Sequence, residues 1–99
     1  MRDTPASTGA VHGESRPSIA SGFRLQWEVA QSAYVLLFPE GMIKLNQSAG
    51  EIMKRCTGGS TIAEITADLE RTFETSNLSA DIIAFVEMAR GKQWLSVPA

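Results

Sequence analysis

Residues 33–46 read AYVLLFPEGMIKLN, and this stretch decides the fold. Residues 34–38 are an unbroken apolar run of aromatic, β-branched and aliphatic side chains, bounded by Pro39-Glu40-Gly41. Short apolar runs bounded by Pro and Gly are strands more often than helices. Phe38-Pro39-Glu40-Gly41 suits a type I turn, with proline fixing φ at the second position and glycine closing the turn. The stretch therefore predicts a β-hairpin. Its first strand is apolar on both faces and must be covered by neighbours and a helical layer. Its second strand alternates, with Ile43 and Leu45 directed one way and Met42 and Lys44 the other.

Upstream, Phe23, Leu25 and Trp27 alternate with Arg24, Gln26 and Glu28, the pattern of a half-buried strand with one wet face. Three strands on short links form an antiparallel meander with residues 34–38 in the middle. Downstream, everything is helical. Ser48-Ala49-Gly50-Glu51 predicts a capping box opening helix one, whose apolar stripe is Ala49, Ile52, Met53 and Cys56, with Thr57-Gly58-Gly59 as its stop. Thr61-Ile62-Ala63-Glu64 predicts a second box, followed by the stripe Ile62, Ile65, Leu69 and Phe73. Helix three starts near Ser79, with Asp81 at the positive end of its dipole, and runs to Arg90 with Gly91 as its stop. Trp94, Leu95 and Val97 are expected to fold back on the core or to form a short strand. The expected fold class is α+β and winged helix-turn-helix-like, a three-stranded antiparallel sheet followed by three helices.

The chain has 99 residues, enough for one domain. Residues 1–21 are rich in Ser, Gly, Pro, Thr and Ala and have no hydrophobic period, so they are expected to form a flexible tail on a body spanning residues 22–99. Net charge is −2, and Arg2, Asp3, Glu14 and Arg16 cancel within the tail, so the body carries the whole of it. Phosphate binding needs a local excess of Lys and Arg, and helix three offers only Arg90, with Lys92 after it. Nucleic acid is therefore a weak partner, although the topology invites a winged-helix DNA-binding alternative. No apolar run approaches the ~18 residues of a membrane span and there is no signal-peptide pattern, so a cytoplasmic domain is expected. His12 is the only histidine and Cys56 the only cysteine, and they lie far apart. No base-assisted nucleophile and no metal-ligand spacing can be assembled, so neither a catalytic residue nor a metal or other cofactor is expected. Cys56 reads as a small core hydrophobe.

The remaining feature is the edge of the last strand. Met42, Ile43, Lys44, Leu45 and Asn46 carry one lysine and no proline, whereas edges are usually blunted by charge or a bulge. On helix three, Ile82, Phe85, Val86 and Ala89 fill the core face, leaving Ile83 and Met88 over. Ile83, Glu87 and Arg90 share a second face. An open edge beside such a helix is a groove for an extended peptide. The same surface could instead meet the C-terminal segment, the tail, or a second copy in a homodimer.

Arg24-Leu25, Tyr34-Val35-Leu36-Leu37, Pro39-Glu40-Gly41, Leu45-Asn46, Ala49, Ile52, Gly58-Gly59, Ile62, Ile65, Leu69, Phe85-Val86 and Trp94-Leu95 together resemble the PqqD family, over about residues 22–96. Leu-Leu-x-Pro-Glu-Gly followed by Leu-Asn-x-x-Ala is the specific part. Cys56-Thr57-Gly58-Gly59 departs from the pattern, which usually has Asp before the glycine. The resemblance implies a peptide chaperone of pyrroloquinoline quinone (PQQ) biosynthesis, the type member of the recognition elements of ribosomally made, modified peptides (RiPPs). Such a protein is not an enzyme. It binds the precursor peptide PqqA by adding a strand to the third strand's edge, and presents it to PqqE, a radical S-adenosylmethionine enzyme. In this chain the implied contacts are Met42, Ile43, Lys44, Leu45 and Asn46 with Ile83, Val86, Glu87 and Arg90. A monomer or a homodimer is compatible with this, because self-pairing would use the same edge.

Overall fold

The computed structural model describes residues 10–98. In chain order the elements are β1 (Ser18–Ile19), β2 (Arg24–Glu28), a 3-10 turn (Val29–Gln31), β3 (Ala33–Phe38), β4 (Gly41–Lys44), α1 (Gln47–Lys54), α2 (Ile62–Thr72), α3 (Ser79–Gly91) and β5 (Leu95–Ser96). The sheet β2-β3-β4 is the expected antiparallel meander, with Leu25, Leu36 and Ile43 in register across it. Alternation sends these three toward the helices, where Leu36 is fully buried. The opposite face carries Arg24, Gln26 and Glu28 beside Val35 and Leu37, then Met42 and Lys44. Val35 is buried there between its cross-strand neighbours Gln26 and Lys44, which answers the double-sided apolarity of β3.

The helices close the core with Ile52, Met53, Cys56, Ile62, Ile65, Leu69, Ile82, Val86 and Ala89. α1 lies close on β3: a Cβ added to Gly50 would stand 3.1 Å from the Tyr34 ring. Cys56 is buried as expected, its thiol donating to the Ile52 carbonyl, and burial pushes its pKa up to about 12. Arg55 ties α1 to α2 by bonding Glu51 and Asp68. Burial opposes its charge, but the bonds to both carboxylates outweigh it and its pKa is raised. Asp68, bonded to Arg55 and Arg71, is held below the usual carboxylate range.

Three helix ends differ from expectation. α1 begins at Gln47, because the Asn46 side chain accepts the Ala49 N–H at 2.8 Å and so caps the helix two residues before Ser48. It also ends early, at Lys54, and Gly58 (φ 86°) turns the chain later rather than capping it. α3 takes in Gly91 and closes one turn on, with Gln93 in the left-handed region (φ 66°). There the Gln93 N–H bonds the Arg90 carbonyl and the Trp94 N–H the Ala89 carbonyl, a Schellman closure with glutamine in the usual glycine position. The capping box of α2 is as expected: Thr61 accepts the Glu64 N–H and Glu64 accepts the Thr61 N–H.

The larger correction concerns the expected tail. Residues 1–9 of it lie outside the described residues, but residues 10–21 belong to the fold. Val11 is in the core cluster, and Ser15 and Pro17 are buried. The Ser15 and Gly13 carbonyls accept the N–H groups of Ile62 and Ala63. With the capping box, they satisfy all four of the amide donors that a helix start leaves open. The segment then pairs Ser18 and Ile19 with Ser96 and Leu95 in a second, two-stranded sheet. Its composition hid this because its contribution is mostly backbone carbonyls, which leave no side-chain period.

Candidate functional site

β4 pairs with β3 alone among the described residues. The Leu45 N–H donates to the Tyr34 carbonyl at 3.0 Å, so Tyr34–Leu45 is a hydrogen-bonded pair. In an antiparallel ladder such pairs alternate with non-bonded ones. Leu36–Ile43 and Phe38–Gly41 are then the other bonded pairs, and Met42 and Lys44 direct their N–H and C=O groups away from β3. The open edge therefore offers four backbone groups, two donors and two acceptors. Both side chains beside them are exposed, Met42 by 53%.

The other strand residues expected at the site have different roles. Ile43 is half-buried and packs on the core, and Leu45 is buried in it. Asn46 is committed to α1: its side chain caps the helix and its carbonyl accepts the Gly50 N–H.

On α3, Val86 is fully buried in the core and has no surface to offer a guest, which corrects its assignment as a contact. Ile83 is half-buried against the core. Glu87 is held by two groups, accepting the Val11 N–H at 3.0 Å on one oxygen and bonding Arg90 with the other. The flank of α3 formed by Ile83, Glu87 and Arg90 thus meets the N-terminal segment at Glu87.

One feature went unnoticed in the sequence. Just past the end of β4, a concavity of about 280 Å³ opens between the start of α1, the end of α2 and the start of α3. Its lining includes Gln47, Ser48, Ile52, Leu69, Phe73 and Asp81. Phe73 was expected on the core face, yet it caps the end of α2 and is 43% exposed. A stripe running one position beyond its helix was the available signal.

A family model described as coenzyme PQQ synthesis protein D (PqqD) matches residues 33–95. The chain is similar to the PqqA binding protein of Stutzerimonas stutzeri, 45% identical over 82 residues that cover 82% of this chain and 89% of that protein. It is similar also to the PqqA binding protein of Pseudomonas aeruginosa, 46% identical over 85 residues that cover 85% of this chain and 92% of that protein. Among solved structures it matches the solution NMR structure of the PqqD truncation of Methylobacterium extorquens PqqCD, described as a functional, stand-alone RiPP recognition element. The TM-score is 0.74 at 27% identity, over 88% of this chain and 95% of that one. By sequence and by fold, the chain belongs to the PqqD family.

Proposed function

We propose that this protein is a non-catalytic recognition element of PQQ biosynthesis, which captures the precursor peptide PqqA as an added strand on β4 and presents it, in the cytoplasm, to the radical S-adenosylmethionine enzyme PqqE. The observation that carries this reading is the edge at Met42 and Lys44, unpaired among the described residues, in a chain whose relatives are named for binding PqqA. Four ladder bonds at ~1 kcal/mol net each supply ~4 kcal/mol. Micromolar affinity needs ~8 kcal/mol, and ordering a disordered peptide takes back ~2–5 kcal/mol. Side-chain anchors at ~1.5–3 kcal/mol each must therefore supply at least half of the gross attraction. Backbone pairing gives affinity and register, while pockets give specificity.

Titration of isotope-labelled protein with unlabelled PqqA tests the mode. The Met42 and Lys44 amides are expected to shift and to gain protection from solvent exchange, more than those of Ile43 and Leu45, which face β3. Unchanged Met42 and Lys44 amides at saturation would exclude strand addition on this edge.

A further inference from the structure

The concavity follows the open edge along the chain, its first lining residue, Gln47, coming three positions after Lys44. Lys44 ends the strand, Asn46 caps α1, and the next two residues, Gln47 and Ser48, line one side of the concavity. The first turn of α3, at Asp81 and Ile82, forms the opposite wall, and the half-exposed Phe73 ring lies at the end of α2. Ile52, Leu69 and Ile82, all buried, give it an apolar floor. A guest strand advances ~3.3 Å per residue, so a guest that continues past Lys44 runs on toward the helix start at Gln47 and Ser48 that lines the opening. At about 280 Å³ the space is below the ~300–1,000 Å³ of pockets that enclose whole small molecules, and suits one bulky side chain.

The charge at the opening is one-sided. Glu51 and Asp81 both line it. Glu51 is neutralised by Arg55 and Lys54, whereas no Lys or Arg pairs with Asp81 among the described residues. We infer that this pocket receives one bulky apolar side chain of the bound precursor peptide, flanked by a basic residue that pairs with Asp81. The inference rests on the strand-addition reading and adds to it the site of side-chain discrimination. An acidic segment would be disfavoured here: the floor is apolar, and the carboxylate left unpaired among the described residues is negative.

The test measures the Kd of fluorescein-labelled PqqA for the wild type, Ser48→Trp, Asp81→Asn and Lys44→Pro, each checked for a native melt. Ser48 is exposed on the first turn of α1, so the indole can fill the pocket from its wall without entering the core. Ser48→Trp is expected to weaken binding about 10- to 100-fold, the loss of one apolar anchor. An alanine scan of the peptide is expected to show one apolar position that matters to the wild type and no longer matters to Ser48→Trp. Asp81→Asn is expected to weaken binding about two- to five-fold at low salt and not at high salt. Ser48→Trp binding like the wild type, while Lys44→Pro binds poorly, would overturn the pocket assignment and leave the edge standing. Full affinity in Lys44→Pro would overturn strand addition and this inference with it. Self-association of the free protein that Ser48→Trp abolishes would assign the pocket to a second copy, and overturn it too.

Discussion

Lys44→Pro separates binding from folding by a single backbone group. Lys44 faces Val35 in a non-bonded pair, whereas Leu45 beside it donates to Tyr34 at 3.0 Å. Proline at 44 therefore removes a donor that has no partner among the described residues. Edge strands tolerate proline when its missing N–H would face solvent, so stability should fall by no more than ~1 kcal/mol. For a guest strand the consequence is larger. One ladder bond worth ~1 kcal/mol is lost, and the guest carbonyl left unpaired costs a further ~1–3 kcal/mol. Together, ~2–4 kcal/mol weakens binding about 30- to 1,000-fold. Lys44→Ala isolates the side chain and should cost ~0–1 kcal/mol, as an exposed charge does. Ile43→Pro is the opposite control: its N–H faces Leu36, so it should destabilise the fold by several kcal/mol. Fluorescence anisotropy with labelled PqqA reads the affinity and urea unfolding the stability. A folded Lys44→Pro that binds as tightly as Lys44→Ala would refute strand addition at β4.

Other perturbations probe what holds the site in place. Val11→Ala should cost ~1.5–2.5 kcal/mol in urea unfolding, because Val11 is 6% exposed within the core cluster; a free tail would give no change. Gln93→Gly should stabilise by ~0.5–1 kcal/mol, since Gln93 sits at φ 66°, where a Cβ is disfavoured; an unchanged urea midpoint would refute this. At low pH the sign follows from two depressed carboxylates. The Thr61 N–H holds Glu64 below the ordinary glutamate value of 4.5, and the bond from Arg55 holds Asp68 below the ordinary aspartate value of 3.8. Their contribution is complete above those values and lost as pH falls through the lower folded ones. Glu64→Gln with Asp68→Asn should therefore flatten the acid side of the stability curve, and an unaltered acid midpoint would contradict the linkage.

The parts of this protein that were legible in its sequence are those carried by side-chain period and local capping. Residues 34–38 announced the central strand and Thr61 with Glu64 the start of α2. Ile82, Val86 and Ala89 announced the buried face of α3. What stayed hidden was settled by backbone partners. Ser48 and Asn46 are both sound helix caps. The structure chooses Asn46 because the ladder to β3 runs through Leu45, leaving residue 46 as the first free to turn. Glu87 read as a free charge on a helix face, and only the fold reveals Val11 beside it. Gly91 looked like the stop for α3, but the Schellman geometry falls at Gln93, where no composition signal marks it.

The meander has two outer edges, and what lies beside each distinguishes them. By the same alternation, Leu25 and Trp27 present the outward backbone groups of β2. Along that strand Arg24, Gln26 and Glu28 hydrogen-bond to one another, forming a charged ladder beside the edge, a device that blunts strand pairing. β2 then runs into the 3-10 turn and the left-handed Ser32, so a guest there would reach an abrupt change of direction. β4 carries one lysine, and its end leads to the opening between Ser48 and Asp81. On the proposed reading, a peptide on β4 would combine backbone pairing with a side-chain anchor and a carboxylate, Asp81, that no Lys or Arg pairs among the described residues. If Met42 and Lys44 bind the guest, affinity should depend on Ser48 and Asp81 beyond the strand and be indifferent to Arg24→Ala and Glu28→Ala. The reverse dependence would move the peptide to β2.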